Sequence, residues 1–130
     1  MLTLNRRFQT ASSASEFIFN LPEAALGGVP FHQDTFFITR YFTEKFPFHL
    51  AIHEISPVFN PPAEYTELHQ HDDCNEVNII ISSTHLLYKI VLGSEEYLVP
   101  GNSAIWIPRG MIHSANVLEG SGFFIAMRIH

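Results

Sequence analysis

"HQHDDCNEVNIII", residues 69–81, sets two histidines one residue apart, a glutamate five positions after the second, and then a run of β-branched side chains. Side chains two apart on a strand share a face, so His69 and His71 can aim at one interior point. Glu76 lies an odd number of residues further on and would face away in an unbroken strand. The intervening Asp72, Asp73, Cys74 and Asn75 are turn-forming or small, and a turn or bulge there restores its direction. Beyond it Glu76, Asn78 and Ile80 alternate with Val77, Ile79 and Ile81. One face of this strand is therefore polar at its start, and that face is predicted to line the inside of a barrel.

The segments on either side are also strands by pattern. "HLLYKIVL", "EEYLV", "SAIWI", "HSANVL" and "FFIAMRI" follow at near-regular spacing with turn residues between them, and "TFFITRYF" and "FHLAIHEIS" precede. No segment has helical periodicity over a helix length, which indicates an all-β barrel or sandwich. Gly93 and Ser94 form a two-residue turn with glycine first, the type II′ preference. That register pairs Leu92 with Glu95, Ile90 with Tyr97 and Tyr88 with Val99, and it predicts Tyr88, Ile90, Tyr97 and Val99 inward with Lys89 and Glu96 outward. Three prolines in "SPVFNPPAEYTE" bar a central strand and predict a surface loop. Residues 1–34 read as an extension wrapped on the barrel of residues 35–130, with one helical turn over Pro22 to Leu26 stopped by Gly27 and Gly28.

His113, in "IWIPRGMIHSAN", stands early in a strand after the tight turn of Pro108 and Gly110. Strand ends meeting at one barrel opening can bring His69, His71, Glu76 and His113 together. Three imidazoles and a carboxylate suit a divalent transition metal, and around an octahedral ion they leave two places open. Tyr88 and Tyr97 are candidate catalytic acids or bases, and Asn78 and Arg128 candidate substrate contacts. Arg40 has the same potential as Arg128. His49 and His53 share a strand face with Ala51 and Ile55 and read as a partly buried pair; His32, His85 and His130 read as surface or edge residues.

A net charge of −6 with seven Lys and Arg leaves no basic stripe to follow a phosphate backbone, so nucleic acid is not an expected partner. No apolar run reaches the roughly 20 residues of a membrane span, and Met1 to Arg7 lacks the apolar core of a signal peptide. A single cysteine, Cys74, excludes an intramolecular disulfide framework. A cytoplasmic protein is expected.

Two stretches resemble motifs of the cupin superfamily. "HQHDDCNE" is similar to the first motif, two histidines one apart followed by a glutamate. "GNSAIWIPRGMIHSAN" is similar to the second, a glycine leading to Pro-x-Gly-x-x-His and a nearby asparagine. Six residues separate Gly101 from Pro108 where the family usually has five, and Ser83 stands where a glycine commonly closes the first motif. The resemblance implies a double-stranded β-helix (a jelly-roll barrel) of two antiparallel sheets, with His69, His71, Glu76 and His113 around the metal. It implies a small single-domain cupin acting on a small organic molecule, with a homodimer formed through the N-terminal segment. Iron(II) is the favoured ion, with manganese, nickel, copper or zinc as alternatives. A non-haem iron oxygenase is the leading expectation; an isomerase, cyclase or lyase, or a non-catalytic binding or sensor cupin, are the others.

Overall fold

The computed structural model describes residues 13–130. Seven strands follow in order: β1 (Ile38–Tyr41), β2 (Leu50–Val58), β3 (Asn75–Ile81), β4 (Leu86–Leu92), β5 (Glu95–Pro100), β6 (Ser103–Ile107) and β7 (His113–Ile129). Every pairing is antiparallel. Seven strands form one sheet with the path β1-β2-β7-β3-β6, and β4 pairs with the first half of β7 and carries β5.

The 17-residue β7 joins the two parts of this continuous sheet. Its first half pairs with β4 and its second half with β2 and β3. The sequence reads this stretch as two strands, with Glu119 to Gly122 as a turn between them. Instead Gly120 (φ +99°) and Gly122 (φ +148°) let the chain bend without leaving the ladder. On the far side of the start of β7 lies the segment around Tyr65 to His69. There the Asn116 side chain accepts from the Tyr65 and Thr66 amides (2.9 and 3.0 Å) and donates to the Thr66 carbonyl (3.2 Å). A side chain thus supplies hydrogen bonds that an unbroken backbone ladder would otherwise provide.

The β4–β5 hairpin has the expected register, Ile90 opposite Tyr97 and Tyr88 opposite Val99, with Gly93 at φ +64°. Tyr88 and Ile90 are buried, but Tyr97 is 43% exposed. The reason is that β5 pairs only with β4, so its inner face at Tyr97 lacks the cover that β7 gives to β4. Two other expectations also change. Pro22 to Leu26 is not a helical turn: Glu23 bridges to Tyr41, and a short 3-10 turn follows at Leu26–Gly28. β2 carries on through Pro57 to Val58, where a register irregularity against β7 accommodates the proline. The N-terminal extension shares the barrel core through Leu26. The part of it expected at a dimer interface that spans residues 1–12 lies outside the described residues.

Strand register explains why the barrel is solid at one end and hollow at the other. Ala51, Ala126 and Asn78 lie abreast on β2, β7 and β3, and Ala115, from the first half of β7 opposite Ile90, lines the same cavity. Three alanines in one layer leave unfilled volume where Ile55, Ile80, Leu86, Tyr88 and Phe124 fill the layers below. Above the alanines, Arg128 and Glu76 lie opposite each other on β7 and β3.

Candidate metal centre

His69, His71 and His113 converge at the hollow end, with one ligand nitrogen from each ring lying within 4.8 Å of the others. Reciprocal backbone hydrogen bonds hold His69 opposite His113: the His69 amide donates to the His113 carbonyl (3.1 Å) and the His113 amide to that of His69 (2.8 Å). Their rings stand 4.4 Å apart. The turn that delivers His113 is closed by Met111 N–H on the Pro108 carbonyl (3.1 Å), with Gly110 at φ +80° in the position that favours glycine. The Gly110 amide then donates to the His71 carbonyl (2.7 Å), tying the turn to the first motif. The bend at Asp72 and Asp73 interrupts the chain before β3, so Glu76 faces the same interior as the histidines.

The hydrogen bonds around the rings leave their inner nitrogens free to ligate. His69 Nδ1 lies 2.7 Å from the Glu67 carbonyl, and His113 Nδ1 lies 2.9 Å from that of Met111. A carbonyl only accepts, so Nδ1 carries the proton in each ring and Nε2 presents a lone pair. The buried Nε2 atoms of His71 and His113 have no hydrogen-bond partner. Leaving such atoms unpaired is costly, and a shared cation satisfies both. The residues present therefore fit a divalent metal.

Glu76 stands beside the cluster, with Oε1 3.2 Å from His71 Nε2 and Oε2 3.8 Å from His113 Nε2. Asn78 Nδ2 donates to Glu76 Oε2 at 2.8 Å and fixes the carboxylate. Arg128 Nε lies 3.9 Å from Glu76 Oε1. The chamber holds about 50 Å³ and is lined by these residues together with Tyr88, Arg40, His49 and His53. Of the eight site residues read from sequence, His69, His71, Glu76, His113, Asn78, Tyr88 and Arg128 line it. Tyr97 does not, because its edge strand turns it to solvent. Tyr88 is fully buried, stacked on Phe124 at 4.9 Å, and burial beside Tyr65 pushes its ionisation well above 10. It stays protonated at neutral pH and can donate but not act as a base.

His32 is also inside, contrary to its reading as an edge residue. The extension hydrogen-bonds to the Tyr65–Glu67 segment, which brings His32 against His69 (5.5 Å between rings) and stacks Phe31 on the same imidazole at 5.4 Å. No local pattern announces this, since it depends on pairing between residues more than thirty apart. His49 and His53 did carry a signal, their alternation with Ala51 and Ile55. Cys74 is buried and lies outside the chamber lining.

Burial, reinforced by Arg40, holds His53 down to about 3; burial and Arg128 hold His49 down to about 4. A depressed histidine contributes stability that is complete above its unfolded pKa of about 6.5 and fades as pH falls toward the folded value. At pH 5, about 1.5 units below 6.5, His53 alone should cost about 2 kcal/mol. Urea unfolding at pH 7 and pH 5 should show this loss in the native chain and a smaller one in His53→Gln.

No protein-family model and no curated protein matches this chain. Solved structures do. KdgF from a Halomonas species aligns over 76% of this chain and 87% of its own, at 17% identity and a TM-score of 0.54. An RmlC-like cupin from Shewanella frigidimarina aligns over 83% and 82%, at 11% identity and 0.55. The polyketide cyclase RemF from Streptomyces resistomycificus aligns over 85% and 75%, at 18% and 0.57. The iron(II) form of HppE aligns over 84% of this chain but only 56% of its own, at 16% and 0.57. The fold is that of the cupins. No helix among the described residues is long and apolar enough to cross a membrane.

Proposed function

We propose that this cupin-fold chain is a metal-dependent enzyme acting on a small organic molecule, and more narrowly a non-haem iron oxygenase. The observation that carries the reading is the pair of buried, unpartnered Nε2 atoms on His71 and His113, turned with His69 toward one point. His69, His71 and His113 would hold the ion, and Glu76, beside them, would be its fourth ligand. When bound, such an ion supplies Lewis acidity and, if it is iron, a place for dioxygen at its open positions. The protein groups do the rest. The Glu67 and Met111 carbonyls orient imidazoles, Asn78 steadies Glu76, and Tyr88 offers a fixed donor at the floor. Ala51, Ala115 and Ala126 leave the room for the reacting end of a substrate.

The iron preference draws support from the likeness to iron(II) HppE. Its equal likeness to the cyclase RemF supports a second reading, in which the same ion works as a Lewis acid without redox change. An oxygen electrode separates them. With small carboxylic acids as trial substrates, the iron(II)-loaded protein should consume oxygen and the zinc-loaded protein should not. Turnover by the zinc form under anaerobic conditions would overturn the oxygenase reading in favour of the second.

The expectation of a homodimer also stands as a proposal. The outer face of the large sheet is apolar across four strands: Leu50, Met127, Val77 and Trp106 lie abreast, as do Ile52, Ile125, Ile79 and Ala104. Trp106 is 55% exposed. A face of this kind is what a second copy would cover. Light scattering should read twice the 14.8 kDa chain mass, falling to one chain for Trp106→Glu. A native protein at 14.8 kDa would contradict it.

A further inference from the structure

Positive charge is scarce in this chain and unevenly placed. Of the seven Lys and Arg, Arg6 and Arg7 lie outside the described residues. Lys89 is paired with Glu64 and Glu96, and Arg109 sits on the turn before β7. The other three, Arg40, Lys45 and Arg128, all border one groove of about 590 Å³. Arg40, His49 and Arg128 line this groove and the inner chamber alike, so they form the neck between the two.

Neither arginine has a close counter-charge among the described residues. Arg40 is only 7% exposed, lies over the Phe42 ring at 4.4 Å, and has no ion pair among the described residues. Arg128 is half-buried with its Nε buried and without a hydrogen bond, and its ion pair with Glu76 Oε1 is long at 3.9 Å. A buried guanidinium without a well-placed counter-charge is strongly destabilising. The charges lining chamber and groove do not cancel: Arg40, Lys45 and Arg128 against Glu44 and Glu76 leave one positive charge, and a divalent ion would raise the excess to three. His49 and His53, held far below their usual range, add none at neutral pH. In a protein of net charge −6, this is a local positive field at the entrance to a chamber.

We infer that Arg40 and Arg128 form an anion clamp at this neck and that the substrate is a small carboxylate. Its charged group sits between the guanidiniums with the reacting end toward His69, His71 and His113. The inner chamber, at about 50 Å³, has room for an ion and a few atoms, so the bulk of the molecule lies in the groove. The assignment of the reacting end rests on the metal-centre reading; the clamp does not.

Titrations with butyrate and its neutral analogue butyramide test the clamp, read from the Nε–H resonances of the two arginines in metal-free and zinc-loaded protein. Butyrate should shift both resonances saturably in either form, and butyramide should bind at least about tenfold more weakly. Arg40→Met and Arg128→Met should each weaken butyrate by roughly tenfold to a hundredfold and leave butyramide unchanged. Arg128→Lys, which keeps the charge but loses the fork, should recover part of the loss. Equal binding of acid and amide to the native protein would overturn the clamp, even if the variants fail to fold. So would butyrate affinity unaffected by both Met substitutions. Failure to take up zinc, with butyrate binding intact, would count against the metal reading alone.

Discussion

Replacing His113 with alanine should strip the protein of its metal while leaving the barrel folded. His113 is 3% exposed, its Nδ1 is anchored on the Met111 carbonyl, and its Nε2 has no partner within the protein. Removing one imidazole from a set of three leaves the ion two nitrogens and a carboxylate. Structural zinc sites owe about 10–16 kcal/mol to four ligands together, so one ligand is worth roughly a hundredfold or more in affinity. Elemental analysis of the purified variant should therefore fall to background. The backbone pairing of residues 69 and 113 does not need the side chain. Removing the ring loses the Nδ1 hydrogen bond to Met111 but also removes the unpartnered Nε2, two effects of about 1 kcal/mol each and opposite sign, so the metal-free variant should unfold at nearly the same urea concentration as the metal-free native chain. A variant that retains its metal would put the site elsewhere.

Gly120→Ala should have the largest effect on stability, and for a different reason. At φ +99° a side chain is strained whatever surrounds it, and a Cβ here would stand 2.1 Å from the His85 carbonyl oxygen. That neighbour is backbone held in register by β4 against β7, so it cannot rotate aside. Clash and strain together should cost ~3 kcal/mol or more, read as a lower urea midpoint or as insoluble expression. Gly93→Ala is the control, since it has positive φ but open space around it. It should cost only about 1 kcal/mol. Similar losses for both would mean that dihedral strain alone, and not the close crossing of β7 over the turn at His85, sets the requirement.

The two cases show what is legible in such a chain. The β4–β5 register was readable because a two-residue turn leaves one pairing, and the alternation of Glu76, Asn78 and Ile80 was readable because a strand has a period of two. The convergence of His69, His71 and His113 followed from motif spacing. Tyr97 was misplaced because alternation gives the face of a residue but not whether another strand covers it. The same ambiguity hid the role of Gly120 and Gly122, which mark a turn and a bent strand equally well in sequence. The chamber itself was illegible: it arises where Ala51, Ala115 and Ala126 from separate strands meet in one layer, and where the extension folds His32 back against His69. Arg40 and Arg128 stood out only as charges in apolar strands. Their shared position at a neck depends on β1 and β7 being brought together across β2.

Anomalous diffraction from crystals grown with a first-row transition metal tests the central claim most directly. The account expects one strong peak within bonding distance, about 2.0–2.3 Å, of Nε2 on His69, His71 and His113, with a Glu76 oxygen completing the set. A chamber without a peak under saturating metal, or a peak only at surface groups such as His130 and Asp73, would contradict it.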